Sequence, residues 1–404
     1  MHVLLIHQIF IRPEDAGGTR HYEFGRHLVR AGHTVTVLAG TRSYLDDTEF
    51  TAGKKEILEP GFEVIRCRVS GSVHRSFISR TLGFFSFMIS SFWQGLKVRK
   101  VDVVYGTSPP LFQGPSAWLL AFLKRVPLVF EVRDLWPYFA VAVGVLTSRT
   151  LIWMAEVTEK FLYRHASAII VNSPGFIEHI RSRGGKCIEL IPNGVDPSMF
   201  QPQNRSEELR KSWGLANRFI VLYAGAHGMS NDLAVLLDAA AALRESSDIA
   251  FVFLGDGKEK PALVEKVNTL GLNSVRFLDP VPKSEMAGHL AAADACAAIL
   301  KPIEAYKTTY PNKVFDYMAA GRPVLLAIDG VIRDVVESAG AGLYSPPGDA
   351  QALAMSIFQM AGDHESARIM GGNGRIYVEE HFNRVDQAEA VVTLLESLVG
   401  KKQE

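Results

Sequence analysis

Between Tyr306 and Val324 the chain reads Tyr306-Lys307-Thr308-Thr309-Tyr310-Pro311-Asn312-Lys313-Val314-Phe315-Asp316-Tyr317-Met318-Ala319-Ala320-Gly321-Arg322-Pro323-Val324, gathering bases and one acid about a helix start. A proline suits the first helical turn, where its missing N–H costs nothing. The free backbone N–H groups there, with Lys307 and Lys313 beside them, make an anion site of the kind that docks a diphosphate. Asp316 follows about one turn later and is placed to accept hydrogen bonds from a neutral polyol such as ribose. A capped surface helix leading through Gly321-Arg322-Pro323 into a buried strand accounts for the same residues without a ligand.

Other segments put polar groups where apolar strands end. After the first strand come His7-Gln8-Ile9-Phe10 and a loop closing on Ala16-Gly17-Gly18-Thr19-Arg20-His21, with a helix from about Tyr22. Paired glycines at a helix start let backbone N–H groups approach an oxyanion, and a plain helix cap fits them equally well. The spacing is not G-x-G-x-x-G, which disfavours a nicotinamide or flavin enzyme. Phe130-Glu131-Val132-Arg133-Asp134-Leu135-Trp136-Pro137 ends another strand with three charges in an aromatic setting. Asp134 is the candidate to orient or deprotonate an acceptor hydroxyl; a Glu131–Arg133 ion pair with Asp134 as helix cap is the alternative. Further on, Tyr223-Ala224-Gly225-Ala226-His227-Gly228-Met229-Ser230-Asn231-Asp232 joins strand to helix through glycines, so that a phosphate fits there. His227 is either its contact or an exposed loop histidine. Leu254-Gly255-Asp256-Gly257 would line the same crevice.

The elements that must position these groups alternate. Short apolar strands and helical patterns succeed one another almost from end to end, the signature of parallel sheets covered on both faces. The fold class is α/β. Strands are expected at residues 3–7, 34–39, 64–67, 101–105, 128–131, 168–171 and 188–191. After the break at Pro192-Asn193-Gly194-Val195-Asp196-Pro197 and the polar connector Gln201-Pro202-Gln203-Asn204-Arg205, they resume at 219–224, 250–254, 275–278, 295–299, 323–327 and 342–344. Two doubly wound units would bind ligands in a cleft at the carboxyl ends of their strands. The last helix, near 385–398, has no strand after it and can return to the first domain.

Composition narrows the class. At 404 residues and 48% hydrophobic the chain supports two cores. Lys plus Arg and Asp plus Glu both number 43, which leaves no footprint for nucleic acid. Cys67, Cys187 and Cys296 lie far apart without metal-ligand spacing, as in a reducing, cytoplasmic compartment. No run reaches the roughly 18 apolar residues of a membrane span, and the N-terminus reads as a strand rather than an export signal. Residues 77–93 are unusually aromatic and precede Lys97, Arg99 and Lys100, so this helix either lies on a bilayer surface or belongs to the core.

Gly17-Gly18-Thr19-Arg20, Ala31-Gly32-His33-Thr34-Val35, Pro192-Asn193-Gly194-Val195-Asp196 and Phe315-Asp316-Tyr317-Met318-Ala319-Ala320-Gly321-Arg322-Pro323-Val324 together resemble the retaining glycosyltransferases of family 4, almost along the whole chain. The resemblance implies the GT-B fold: two Rossmann-like doubly wound domains facing a central cleft, with the C-terminal helix returning to the N-terminal domain. Residues 1–195 with 384–400 would form the acceptor side and 196–383 the nucleotide-sugar side. Within the family the chain looks most like the branch that builds lipopolysaccharide O-antigen, capsule or exopolysaccharide on lipid carriers. That implies a UDP-sugar donor of the hexose or N-acetylhexosamine class, a lipid-linked or oligosaccharide acceptor, retention, and neither cofactor nor metal. It also implies a cytoplasmic place, at the inner face of the membrane if 77–100 makes a peripheral contact.

By this resemblance Asp134, Lys307 and Lys313 are catalytic. His227, Gly228, Gly255, Lys301, Thr308, Thr309, Tyr310, Asn312 and Asp316 bind the donor, and Gly17, Gly18 and Arg20 form an acceptor or phosphate loop. Two departures stand out. The family's E-x7-E pair falls on Thr308 and Asp316, and its Arg and Lys after the first strand of the nucleotide domain fall on Ala226 and Asn231. Lys301, Lys307 or Lys313 would have to replace those charges. A UDP-sugar epimerase of similar fold and a non-catalytic nucleotide-binding partner are the alternative readings.

Overall fold

The computed structural model describes residues 1–15, 17–41, 50–70, 77–202 and 206–400, the side chains of 77–81 excepted. Ala16 of the Gly-Gly loop, Gln203, Asn204 and Arg205 of the expected connector, and the side chains of Phe77 to Thr81 lie outside the described residues. The chain divides into one unit of Met1–Arg12, Thr19–Pro192 and Val385–Glu404, and a second of Pro13–Gly18 and Asn193–Arg384.

The first unit holds strands β1 (His2–Ile6), β2 (Thr34–Gly40), β3 (Lys55–Glu59), β4 (Phe62–Cys67), β5 (Val103–Ser108), β6 (Leu128–Val132), β7 (Ala168–Val171) and β8 (Ile188–Leu190). Their order is β3-β4-β2-β1-β5-β6-β7-β8, parallel except for the β3–β4 hairpin. Strand β1 is apolar from Val3 to Ile6 because both its faces are covered: Val3 and Leu5 enter one core, Leu4 and Ile6 another. The helix Arg384–Gly400 adds Ala388, Val391 and Leu395 to the Val3 side, and His33 Nε2 meets Glu396 Oε1 at 3.0 Å. The expected return of the last helix is therefore observed.

The second unit holds β9 (Phe219–Ala224), β10 (Ile249–Leu254), β11 (Val275–Leu278), β12 (Ala295–Ile299), β13 (Val324–Ala327) and β14 (Gly342–Tyr344), all parallel, in the order β11-β10-β9-β12-β13-β14. In each sheet the strand order reverses beside the first strand of the unit, between β1 and β5 and between β9 and β12. Carboxyl ends at such a reversal are where doubly wound folds place ligands.

Among the described residues no helix is long and apolar enough to cross a membrane. Cys67 and Cys296 are buried and Cys187 is exposed, all as free thiols.

Candidate active site

In the second unit two glycine turns stack at the reversal point. Gly225 and Gly255 hold φ of +143° and +139°, and a Cβ on Gly255 would stand 2.1 Å from the Gly225 carbonyl oxygen. Only glycine permits that approach. His227 N donates to Asp256 O at 2.8 Å, tying the turns together. The helix Asn312–Ala319 is pinned to the same place, since Tyr317 Oη accepts from Ala224 N at 3.0 Å and donates to Ala224 O at 3.1 Å.

One helical turn before Tyr317, Lys313 shares its face. Its Nζ donates to Tyr223 Oη at 2.6 Å and to Asn231 Oδ1 at 3.4 Å, and lies 3.9 Å from the centre of the Tyr223 ring. It also lies 3.1 Å from where a Cβ on Gly225 would stand. The ammonium thus sits in the β9 turn beside Asn231, the position at which the resemblance misses a lysine. Its hydrogen-bond partners are neutral, and burial holds its pKa down at about 7.

The other expected donor residues do not all converge there. Lys301 stands at the rim, its backbone N bonded to Ser230 O at 3.0 Å. Lys307 points to acids instead, with Glu304 at 2.9 Å and Asp329 at 3.7 Å, and is 44% exposed. Pro311 immediately precedes the helix with ψ 123° rather than occupying its first turn, leaving the exposed Asn312 as the first helical residue. Thr308 Oγ1 donates to Ala305 O at 2.7 Å and Thr309 Oγ1 to Tyr306 O at 2.8 Å, so both hydroxyls close local turns. The Tyr310 ring packs on Phe315 and Phe382, and its carbonyl accepts from Asn193 Nδ2 at 2.7 Å.

Asp316 is not left open for a polyol: Lys283 Nζ lies 2.5 Å from its Oδ2 and 4.6 Å from the centre of the Phe200 ring. The carboxylate retains lone pairs for a further donor. His227 is buried rather than exposed, among Tyr223, Phe253 and Phe277, and neither ring nitrogen has a partner. Burial, aided by the Lys260 charge, lowers its pKa to about 4, so the ring is neutral. Gly228 follows it, half-buried.

Gly17 and Gly18, which group with the second unit, are exposed, Gly17 at φ +133°; the residues that follow belong to the first unit. Arg20 is 4% exposed and directs Nε, Nη1 and Nη2 each to an oxygen of the protein. Its Nε meets Glu131 Oε1 at 2.7 Å, its Nη1 Pro192 O at 2.7 Å and its Nη2 Ile191 O at 2.6 Å. Glu131 also accepts from His21 Nε2 at 2.5 Å and Tyr105 Oη at 3.0 Å. The Glu131–Arg133 pair weighed from the sequence is thus replaced by pairing to Arg20 and His21. Burial raises the Glu131 pKa, but His21 and Arg20 outweigh it and hold the carboxyl well below its usual range. Asp134 caps no helix, since Tyr138–Ala142 begins after Pro137 without a side-chain cap. Its Oδ1 is buried without a partner, and burial, offset by Arg133, raises its pKa to about 6.

Around Asp134 the carboxyl edge of this sheet carries further unpartnered buried atoms: His7 Nδ1, Gln8 Oε1, His21 Nδ1 and Asn172 Oδ1. Sequence reasoning gave none of these four residues a role, although the strand-end argument that singled out Asp134 applies to His7 as well. Such a concentration of unsatisfied polar groups marks a place prepared for hydroxyl groups or ordered water. Among the described residues no group of three or more His, Cys, Asp or Glu side chains is arranged to hold a metal ion.

Comparison with known proteins bears on both units. Residues 16–194 match the family described as Glycosyl transferase 4-like domain, and residues 218–363 match Glycosyl transferases group 1. The chain is 26% identical to sulfoquinovosyl transferase SQD2 of Arabidopsis thaliana over 70% of its own length and 54% of that protein's. It is 24% identical to the colanic acid biosynthesis glycosyl transferase WcaI of Escherichia coli, over 79% of this chain and 81% of that one. In fold it is similar to Anabaena HepE solved with UDP, with a TM-score of 0.72 and 20% identity over 98% of this chain and all of that one.

Proposed function

Since the chain belongs to the GT-B glycosyltransferases of the family-4-like group, we propose that it transfers a hexose or N-acetylhexosamine residue from a UDP-sugar to a hydroxyl of a lipid-linked or oligosaccharide acceptor, with retention. The pathway would be assembly of a bacterial surface polysaccharide, as the relative named for colanic acid biosynthesis suggests. UDP as the nucleotide follows the solved neighbour that holds it. Residues 196–383 would take the donor, and residues 1–195 with 384–400 the acceptor.

The observation that carries this reading is Lys313 seated in the β9 turn, 3.4 Å from Asn231 Oδ1. A diphosphate there meets one ammonium, the N–H groups of Ala226 and Gly228 and the start of the helix Asn312–Ala319. Lys301 adds charge from the rim. In the transfer the acceptor oxygen bonds to the anomeric carbon while the bond from that carbon to the phosphate oxygen breaks, its electron pair leaving with the nucleoside diphosphate. Asp134, as carboxylate, accepts a hydrogen bond from the acceptor hydroxyl and orients it, and the departing phosphate takes the proton. Stabilising the diphosphate supplies the electrostatic part of the rate.

Calorimetric titration with UDP and NMR of the product test this. Lys313→Ala is expected to weaken UDP binding about tenfold or more, the loss of one charge-assisted contact. Lys307→Ala is expected to weaken it less. Unchanged affinity in Lys313→Ala, or an inverted anomeric linkage in the product, would reject the corresponding part of the reading.

A further inference from the structure

The segment that follows β11 is joined to the helix Asn312–Ala319 by one pair of charges. Lys283 opens the turn Lys283–Glu285, which leads into the helix Met286–Ala292. Ala287 and Leu290 of that helix are buried in the same core as Val314, Phe315 and Met318, so the backbones on either side of the pair are fixed by packing. Lys283 Nζ lies 2.5 Å from Asp316 Oδ2 and 4.6 Å from the centre of the Phe200 ring. The two side chains are 13% and 14% exposed, and a carboxylate so far out of water needs a counter-charge. Among the described residues Lys283 is the one hydrogen-bond donor on this carboxylate, and it uses Oδ2. Oδ1 is left to accept from a ligand.

Asp316 lies four residues after Asn312, on the same stripe of the helix and about 5.4 Å beyond its start. Lys313 and Tyr317 occupy the adjoining stripe, against the β9 turn. A nucleotide whose diphosphate sits at Lys313 and the helix start brings its ribose beside Asp316. An unpaired carboxylate in that place would repel the diphosphate. Paired with Lys283, its charge is cancelled while an acceptor remains, which is the combination a neutral diol next to phosphate requires. Aspartate also carries its carboxyl one methylene closer to the helix than the glutamate of the family pattern does, so its reach depends on which way it is turned.

We propose that Lys283 is a positioning residue that sets nucleotide specificity: by holding Asp316 Oδ2 and cancelling its charge, it turns Oδ1 to a ribose hydroxyl of the donor and makes the site select ribonucleotides over deoxyribonucleotides. This rests on the placing of UDP in the second unit above.

Calorimetry on the full chain compares UDP with 2′-deoxy-UDP and 3′-deoxy-UDP, and the quantity read is the Kd of each deoxynucleotide divided by that of UDP. Diphosphate contacts are common to these ligands and cancel in the ratio. The wild type is expected to bind one deoxynucleotide or both about tenfold or more weakly than UDP, the loss of a hydrogen bond to a charged group. Asp316→Ala is expected to bring the ratio close to unity. Lys283→Met keeps the stem beside Phe200 and loses the charge. In it the ratio is expected to fall about two- to tenfold, the cost of ordering a side chain no longer held, while all the ligands weaken together through repulsion. Lys283→Arg is expected to keep the wild-type ratio. An unchanged ratio in a folded Lys283→Met overturns the proposal, and so does a Lys283→Arg that loses the ratio as fully as Lys283→Met. Asp316→Ala with the ratio intact overturns it whatever Lys283→Met does. A wild type that binds UDP and both deoxynucleotides alike overturns it and leaves the donor reading standing, whereas a wild type that binds none of them rejects that reading and this proposal with it.

Discussion

Lys313 shows what one side chain gains from its setting. Held against Tyr223 and Asn231 with only neutral partners, its ammonium is disfavoured by burial and titrates at about pH 7 in the free protein. A bound diphosphate favours the charged form and raises that pKa. The complex therefore holds a proton that the free protein has partly released, and affinity for UDP falls as pH climbs above about 7 until the bound pKa is passed. Calorimetry in buffers of different ionisation enthalpy at about pH 8 is expected to find uptake approaching one proton per UDP bound, and none in Lys313→Met. Equal uptake by both proteins would discharge Lys313 from this role. The sequence offered Lys301, Lys307 or Lys313 in place of the charges missing at 226 and 231; that Lys313 is the one to reach Asn231 was not legible. Nor were the partners of Arg20 and Asp316. The carbonyl of Ile191 that occupies Arg20 lies 171 positions along the chain, and Lys283 reaches Asp316 across 33. No local pattern encodes either pairing, and each turns an expected ligand group toward the protein.

For elements, legibility followed burial. Strands β7, β9, β11, β12 and β14 have the expected bounds, and the other strands that were read differ by one to three residues at one end or both, β5 the most. Strand β3 escaped notice because Lys55-Glu56-Ile57-Leu58-Glu59 is a polar antiparallel edge whose Ile57 is 73% exposed. An edge strand facing water has no apolar alternation to betray it. Pro311 fell outside the helix for a related reason: a residue without an N–H is tolerated equally just before the helix and in its first turn, so composition leaves the boundary open. The stacked glycine turns carry a sharper expectation. Gly255→Ala would set a Cβ against the Gly225 carbonyl at φ +139°, forcing the two turns apart. We expect a loss of about 1–3 kcal/mol in urea denaturation together with weaker UDP binding. Gly288→Ala, within the helix Met286–Ala292 and with open space around it, is expected to be neutral or to stabilise by up to about 1 kcal/mol. Equal effects in the two variants would show that the close approach of the turns is immaterial.

At the scale of the whole molecule the aromatic helix Phe77–Lys97 buries one face in the core and leaves an apolar face exposed. Phe87 and Ser91 are fully buried on the first sheet, while Leu82, Phe85, Ile89 and Trp93 recur at helical spacing with exposures of 58, 40, 56 and 60%. Helices packed on the same side of that sheet leave further large apolar groups in water: Phe122 at 66% and Leu123 at 51% on Gln113–Lys124, and Trp153 at 64% and Met154 at 52% on Arg149–His165. Lys97, Arg99 and Lys100 are exposed at the end of the first of these helices. Such an apolar stripe beside exposed bases suits the surface of an anionic bilayer, where buried CH2 groups contribute about 0.8 kcal/mol each and each nearby base about 1 kcal/mol more. An enzyme whose acceptor is anchored to lipid would gain from resting there, because the search for that acceptor becomes two-dimensional. Sedimentation with vesicles of phosphatidylglycerol and phosphatidylcholine is expected to pull down the wild-type protein, less of it at high salt and less with phosphatidylcholine alone. Ile89→Ser with Trp93→Ser, both on the exposed face and clear of the buried one, is expected to lower the bound fraction several-fold while UDP affinity is retained. Equal sedimentation of the variant and the wild type would assign this face to some other use.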